Sequence, residues 1–324
     1  MKKSISLILL ILTIGTIAAQ PLETDEILEV EEILKKQTKD TLDGWKTGGV
    51  FGVNFTQVSL TNWSAGGENS ISLNTILSIY ANYKKGNTSF DNSLDIGYGF
   101  LKSGNAGTRK TDDKIDFTSK YGQKASKNWY YAGLINFKSQ MAPGYNYPND
   151  STKISDFLAP AYILGSIGMD YKPNKYFTLF ISPITTKITL VNDQTLADAG
   201  AYGVEKAVLD TLGNVVTKGE VLRLEYGGYL RAIVNKDVME NINLQTKLEL
   251  FSNYNKNPSN IDVNCEVLIA MKVNKYISAT ISTQLIYDDD IDIAIDENAD
   301  GIIEKVGPRI QFKEVLGVGL SLKF

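Results

Sequence analysis

Residues 310–324, at the carboxyl end of the chain, alternate between apolar and polar or small side chains with a period of two. The apolar phase consists of Ile310, Phe312, Leu316, Val318, Leu320, Leu322 and Phe324. Because successive side chains of a β-strand point to opposite faces, this segment predicts a strand with one apolar face. A strand that faces lipid on one side and a polar lumen on the other, and that ends in an aromatic residue, is typical of a transmembrane β-barrel.

The same alternation recurs along the chain, in segments close to the roughly ten residues that a tilted membrane strand requires. The predicted strands are residues 49–60, 71–83, 88–101, 114–125, 129–141, 158–172, 176–190, 222–235, 242–254, 261–273, 276–287 and 309–324. The sequence therefore predicts an all-β, antiparallel up-and-down transmembrane barrel of about twelve strands. Ten or fourteen strands are the alternatives, because residues 182–190 and 206–216 can be counted differently.

The connections between the predicted strands are mostly short and long in turn, as expected for periplasmic turns and extracellular loops. An even strand number would return both termini to the periplasm. Aromatic residues on the apolar phase gather at the strand ends, where they would form two interfacial girdles. These features predict location in a bacterial outer membrane, with outer-membrane lipid as the immediate partner of the barrel.

The amino-terminal region predicts two segments that precede the barrel. Lys2 and Lys3 come before an apolar run and the small residues Ala18 and Ala19, which is the pattern of a cleavable signal peptide over residues 1–19. Residues 20–44 would form a periplasmic leader with a short helix, since charges and apolar residues in it follow helical spacing. The barrel itself is assigned to residues 45–324.

Composition excludes several functional classes. The formal net charge of −4 disfavours a nucleic-acid-binding protein. The chain has no histidine, so the histidine-dependent triads of hydrolases cannot form, and no alternative serine–lysine motif stands out. We therefore expect no enzymatic activity and no required cofactor.

Three motifs resemble one known family. Residues 61–70 read TNWSAGGENS, residues 109–114 read RKTDDK and residues 141–145 read MAPGY. Together they are similar to a family of outer-membrane β-barrels from Bacteroidota that is catalogued as a domain of unknown function (domain of unknown function 3078). The resemblance extends over residues 44–324 and implies fold and location, but no substrate and no catalytic residue.

The polar phase of the predicted strands carries many charged residues, which should line the lumen. These candidates are Asp91, Asp95, Lys114, Asp116, Lys120, Lys124, Arg223, Glu225, Arg231, Lys247, Glu249, Arg309 and Lys313. A twelve-stranded barrel is narrower than a general porin, so such side chains could nearly fill it. Two interpretations are open: a network of ion pairs that supports the wall, or a track for ions. The mixed signs argue against a strongly ion-selective pore.

Two loops carry weaker signals. Asp296, Asn298 and Asp300 reproduce the first half of a calcium-binding loop, but Gly307 stands where a bidentate glutamate belongs. Calcium binding by this loop is therefore a hypothesis. The alternative is an acidic loop that is simply exposed to solvent. Trp63, Glu68 and Asn69 lie in a glycine-containing loop that could form a constriction or a ligand platform, or could simply place a tryptophan at the membrane interface.

The sequence thus predicts a passive channel or small-solute transport protein in which loops control access. The alternative is a non-conducting barrel that serves as a structural or accessory subunit and docks an envelope protein through its loops. An open lumen would support the channel, and a filled lumen would support the accessory barrel.

Overall fold

The computed structural model describes residues 43–60, 68–104, 107–147, 149–274, 276–295 and 305–323. The barrel unit spans Asp43–Phe324. The predicted signal peptide and almost all of the predicted leader with its helix lie outside the described residues. The assignment of these two segments therefore stays a prediction.

The described residues form almost exclusively β-structure. In chain order the strands are β1 (Gly44–Val58), β2 (Ser70–Lys85), β3 (Thr88–Ser103), β4 (Arg109–Lys124), β5 (Trp129–Ser139), β6 (Gly144–Tyr145), β7 (Lys153–Ser155), β8 (Ala161–Asn174), β9 (Phe177–Leu190), β10 (Val208–Leu209), β11 (Val215–Thr217), β12 (Leu222–Met239), β13 (Ile242–Asn253), β14 (Ile261–Lys272), β15 (Ile277–Tyr287), β16 (Asp292–Ile295), β17 (Lys305–Pro308) and β18 (Gln311–Lys323).

Twelve of these strands close into one antiparallel barrel in the order β1-β2-β3-β4-β5-β8-β9-β12-β13-β14-β15-β18. Each strand pairs with its neighbour in this order, and β18 pairs back to β1. The prediction of an up-and-down barrel of about twelve strands is confirmed. The remaining strands form three small hairpins in the long loops, β6-β7, β10-β11 and β16-β17.

Several predicted strand boundaries differ from the structure by a few residues. Strand β4 begins at Arg109 rather than at residue 114, and its added residues include Lys110 and Asp113, which form an ion pair at 2.9 Å. Strand β18 begins at Gln311. The prediction that Arg309 lines the lumen is therefore wrong, because Arg309 precedes the closing strand and is exposed.

The outer face of the barrel is apolar. Ile167, Ile184 and Leu316 are each more than two-thirds exposed, although they are large aliphatic residues. A water-soluble protein rarely exposes a continuous apolar surface of this kind, whereas a closed barrel in lipid satisfies its backbone groups and needs such a surface. The barrel is therefore a membrane β-barrel.

Aromatic residues cluster at the rim that carries the short turns. The ring of Trp45 lies 5.3 Å from that of Tyr83 and 6.2 Å from that of Phe90. On the neighbouring part of the rim, the rings of Trp129 and Tyr171 are 4.7 Å apart. This is the arrangement of an interfacial girdle, in which amphipathic rings mark the boundary between hydrocarbon and water.

The long loops fold against one another at the opposite rim. Helix α1 (Gln194–Asp198) packs its buried Leu196 and Ala197 with Ala159, Val191 and Val204 into a small apolar core. The hairpin β10-β11 lies in the same long loop. Its Gly213 has a φ of +85°, a conformation that favours glycine.

Among the described residues no helix has the length and apolarity to cross a membrane.

Candidate functional site

The barrel lumen is packed along one half of its wall. This packed half consists of the inward-facing side chains of β5, β8, β9, β12 and β13. Its apolar part is a cluster of Ala132, Leu134, Phe180, Tyr229 and Phe251, each at most 6% exposed. These residues stand on the inward phase of their strands, where the sequence predicts mainly polar side chains. They close this half of the lumen to water.

A network of ion pairs crosses the middle of the lumen. Lys114 on β4 contacts Glu266 on β14 at 2.8 Å, although the two strands stand six places apart in the ring of twelve and are therefore opposite. Lys247 on β13 lies 3.0 Å from Asp116 on β4 and 3.0 Å from Glu266. Because these long side chains come from opposite strands, the central network spans the width of the lumen.

Glu249 is the most heavily bonded carboxylate of this central network. It accepts hydrogen bonds from Lys138, from the Tyr229 hydroxyl at 2.6 Å and from the Asn264 amide at 2.9 Å. The Nε atom of Arg231 lies 3.8 Å away. Buried charges are tolerated only where partners of this kind replace water. The central network therefore acts as a rigid partition between the two halves of the lumen.

Two further ion clusters lie above and below the partition. Near the short turns, Lys120 contacts Asp170 at 2.7 Å and Lys172 contacts Asp91 at 2.7 Å. Near the long loops, Lys187 lies between Asp262, Asp288 and Glu225, at 2.7, 3.4 and 3.7 Å. Arg223 pairs with Glu225 at 2.7 Å and with Asp290. Both clusters brace the packed half.

The other half of the lumen is accessible to water. This open half consists of the inward-facing side chains of β15, β18, β1, β2 and β3. It carries half-buried hydroxyl and amide groups from one rim to the other: Asn54, Ser72, Asn74, Ser78, Asn82, Ser93, Ser278, Thr280, Ser282 and Gln284. Corresponding positions of the packed half, such as Asn136, Ser166 and Ser182, are at most 5% exposed. The lumen thus offers an off-centre polar path.

One ion pair spans the open half near the long-loop rim. Lys313 on β18 contacts Asp112 on β4 at 3.0 Å, and the lysine side chain is 43% exposed. The two strands are separated by β1, β2 and β3 in the ring. Beside this pair lies a cavity of about 280 Å³ that Asn54, Ser72 and Asn74 help to line. The Lys313–Asp112 pair is the candidate constriction of the path.

The predicted lumen residues are distributed among these groups. Lys114, Asp116, Arg231, Lys247 and Glu249 lie in the central network, Asp91 and Lys120 below it, and Arg223 and Glu225 above it. Asp95 accepts a hydrogen bond of 2.5 Å from Ser78 in the open half, whereas Lys124 is exposed at the end of β4.

Several partners of these residues were missed by sequence reasoning. They are Asp112, Lys138, Asp170, Lys172, Lys187, Asp262 and Glu266. Most lie on the inward phase of a predicted strand or just beyond its end, so the phase rule could have found them. Lys187 is different, because it follows a register shift in β9 at which the alternation changes phase. The aromatic residues Phe180, Tyr229 and Phe251 share that phase and signal the packed half.

The loop candidates have different outcomes. Glu68 accepts a hydrogen bond from Ser103 at 3.1 Å, and Asn69 accepts one from the Leu60 amide at 2.6 Å, so both tie the base of their loop. Trp63 and the calcium candidates Asp296, Asn298 and Asp300 lie outside the described residues. Within the described part of the chain, no group of three or more acidic or cysteine side chains could hold a metal ion.

An ion cluster joins the loop that carries β7 to the loop that carries helix α1. Lys153 on β7 contacts Asp156 at 2.6 Å and Asp193 at 2.8 Å. Asp193 also accepts hydrogen bonds from the amides of Thr195 and Leu196 and thereby caps helix α1. The hydrogen bond from Lys153 is the main cause that lowers the pKa of both carboxyls. The loops are thus held together by charge as well as by their apolar core.

Comparison with known proteins found one matching family and several solved structures that are similar to this chain. Residues 55–145 match the family described as "Protein of unknown function (DUF3078)", a shorter range than the predicted 44–324. No curated protein matches the chain.

Three solved structures are similar to this chain over most of its length. The translocator domain of the autotransporter NalP from Neisseria meningitidis is 10% identical, with 93% of this chain and 95% of that chain covered and a TM-score of 0.34. The NanC porin is 9% identical, with 85% and 100% covered and a TM-score of 0.36. An outer membrane channel from Pseudomonas putida F1 is 11% identical, with 89% and 98% covered and a TM-score of 0.38. None of these likenesses assigns an activity to this chain.

Proposed function

We propose that the protein is a narrow outer-membrane channel that lets small polar solutes diffuse along the open half of its lumen. The observation that carries this proposal is a difference in exposure between the two halves: most hydroxyl and amide side chains from β15 to β3 are half-buried at successive levels, whereas Asn136, Ser166 and Ser182 of the packed half are buried. Hydroxyl and amide groups line this path, so small uncharged hydrophilic solutes fit it best.

Loops would control access at one rim. The folded connections around α1 lie on the side where the Lys313–Asp112 pair narrows the open half. In this proposal both termini lie in the periplasm, and the short turns face it as well. The protein needs no cofactor and no catalytic residue for this task, since diffusion through a polar path requires only hydration and size selection.

The second candidate function is an accessory barrel without conductance. It is favoured by the central network, because Lys114 and Glu266 join opposite walls and a few further side chains would complete a plug. Such a barrel would bind an envelope protein through its long loops.

Vesicle swelling tests the proposed channel. The full chain is refolded into lipid vesicles, which are then diluted into isotonic solutions of sugars of increasing size. We expect swelling with the smallest sugars and a steep decline as the sugar becomes larger. Vesicles that never swell, although the barrel is shown to be folded by its heat-dependent gel mobility, would favour the accessory barrel.

A further inference from the structure

The rim that carries the short turns, called the short-turn rim below, is rich in exposed lysines. In the described part of the chain they are Lys46, Lys85, Lys124, Lys127, Lys175, Lys236 and Lys272. The exposed acidic residues at the same rim are fewer, namely Asp43, Asp237 and Glu240. In the described connections of the opposite rim, acidic residues outnumber basic ones. The short-turn rim therefore carries an excess of positive charge that the opposite rim lacks.

The exposed lysines of this rim differ from those of the lumen in their partners. In the lumen Lys114, Lys120 and Lys247 each contact a carboxylate at 3.0 Å or less. Among the described residues, by contrast, none of the exposed lysines of the short-turn rim forms an ion pair. A lysine of this kind keeps its charge and its three N–H donors available to an anion from outside the protein.

Two of these lysines lie against one tyrosine. The Nζ atom of Lys175 is 4.9 Å from the centre of the Tyr176 ring, and that of Lys236 is 5.7 Å from it. Lys175 belongs to the turn between β8 and β9, whereas Lys236 lies near the end of β12. The ring attracts each ammonium group, but the two like charges repel each other. An anion that contacts both groups would relieve this repulsion.

The lysines in the turns lie close to the level of the aromatic girdle. Lys85 follows Tyr83 by two residues, and Lys127 precedes Trp129 by two residues. Two residues of extended chain span at most about 7 Å. The girdle marks the boundary between hydrocarbon and water, where the headgroups of lipids lie. The membrane itself therefore supplies phosphate groups at the level of these lysines.

We propose that the short-turn rim binds the phosphate headgroups of anionic phospholipids, with Lys175, Tyr176 and Lys236 as its principal site. Lysines close to an anionic lipid surface attract it by charge, and each ammonium group can donate hydrogen bonds to phosphate oxygens. In the orientation proposed above, these lipids belong to the periplasmic leaflet. The principal site lies on β8, β9 and β12, beside the packed half of the lumen, and is therefore apart from the solute path.

Quenching of tryptophan fluorescence by brominated lipids tests this preference. The changes Trp45→Phe and Trp63→Phe leave Trp129 as the only tryptophan. Its ring lies at the short-turn rim, 4.7 Å from that of Tyr171. The full chain is refolded into vesicles of phosphatidylcholine and phosphatidylglycerol in equal parts, and bromine is placed in the acyl chains of one lipid or of the other. The ratio of the two quenching values gives the lipid preference beside Trp129.

We expect phosphatidylglycerol to be preferred about three- to tenfold at low salt, because one lysine near an anionic surface contributes a factor of about five. The preference should disappear in about 1 M salt, where the Debye length is about 3 Å. The triple variant Lys127→Gln, Lys175→Gln and Lys236→Gln should show a ratio close to one at low salt as well.

The matched control removes three exposed lysines at or near the opposite rim, by Lys102→Gln, Lys206→Gln and Lys218→Gln. It changes the net charge by the same amount and should keep the preference of the parent protein. Heat-dependent gel mobility shows that each variant is folded. Equal losses in the two triple variants would assign the effect to net charge and overturn the proposal.

Two further outcomes would overturn it. One is equal quenching by the two lipids in the folded parent protein at low salt. The other is loss of the preference in millimolar inorganic phosphate but not in chloride of the same ionic strength, which would show a site for free phosphate. A protein that swells vesicles with sugars but shows no lipid preference would contradict this inference alone and leave the proposed channel intact.

Discussion

At the scale of single residues, the Lys313–Asp112 pair should set the ion preference of the open half. Lys313→Met leaves the Asp112 carboxylate without its partner in the path, so we expect a shift towards cation selectivity. Asp112→Asn leaves the lysine and should shift selectivity towards anions. The measurement is the reversal potential under a salt gradient. Lys218→Met, at an exposed loop position, is the matched control. Shifts of the same sign in both pair variants would contradict this role.

Glu249 should be a main determinant of stability. It is 6% exposed and is bonded to Lys138, Tyr229 and Asn264. Glu249→Leu would leave the buried Arg231 and the half-buried Lys138 next to an apolar side chain, so we expect a loss of about 3–5 kcal/mol in the free energy of unfolding. Urea titration of the barrel in lipid vesicles measures this change. Glu220→Gln, at an exposed loop position, should alter it by less than about 0.5 kcal/mol; a similar small loss for Glu249→Leu would show that the network carries little stability.

At the scale of elements, the packing of helix α1 should depend on pH only near the extremes. The pKa of Asp193 and that of Asp156 lie below the ordinary value of 3.8, mainly because Lys153 donates a hydrogen bond to each. Their contribution is therefore present above pH 3.8 and is lost as pH falls through the lowered pKa values. The pKa of Lys153 is raised above 10.5, chiefly by its hydrogen bond to Asp156, so its contribution is lost only as pH rises beyond that value.

Amide hydrogen exchange of Leu196 and Ala197, corrected for the intrinsic rate at each pH, measures this dependence. We expect constant protection at neutral pH and a decrease in acid. Asp193→Asn keeps an oxygen that can cap the helix but removes one titrating group, so the decrease should become smaller. Protection that stays unchanged far below pH 3.8 in the parent protein would rule out the charge contribution.

The elements themselves could be predicted because lipid imposes a local rule. Residues on the outer face of a barrel strand are mostly ones that suit hydrocarbon, so the alternation appears in each strand by itself and gives the twelve strands. The rule fails where a strand rises above the lipid. Residues 109–113 of β4 are polar on both phases, and nothing in their local pattern separates them from a loop.

The partners inside the lumen could not be predicted in the same way. Phase predicts that Lys114 and Lys247 face inward, but their contacts with Glu266 depend on the strand register and on which strands stand opposite each other in the closed barrel. Those quantities are set by all twelve strands together. The short seam between β1 and β18, in which residues 50–54 pair with residues 319–323, is likewise invisible in the sequence, because both strands alternate normally beyond it.

At the scale of the whole molecule, the barrel is divided lengthwise. Apolar and charged side chains fill the packed half, and the central network separates it from the open half. The water-accessible cross-section is therefore smaller than a ring of twelve strands would allow, which is consistent with a path for small solutes only. The account requires that this path run off-centre, beside β1 and β2.

Single-channel conductance in planar bilayers tests this claim most directly. Ser78 faces the open half on β2, and Ile79 beside it faces lipid and is 36% exposed. We expect discrete steps for the parent protein, much smaller steps for Ser78→Trp because the ring obstructs the path, and unchanged steps for Ile79→Trp. Absence of steps in the folded parent protein, or equal steps for Ser78→Trp and Ile79→Trp, would contradict a conducting path through the open half.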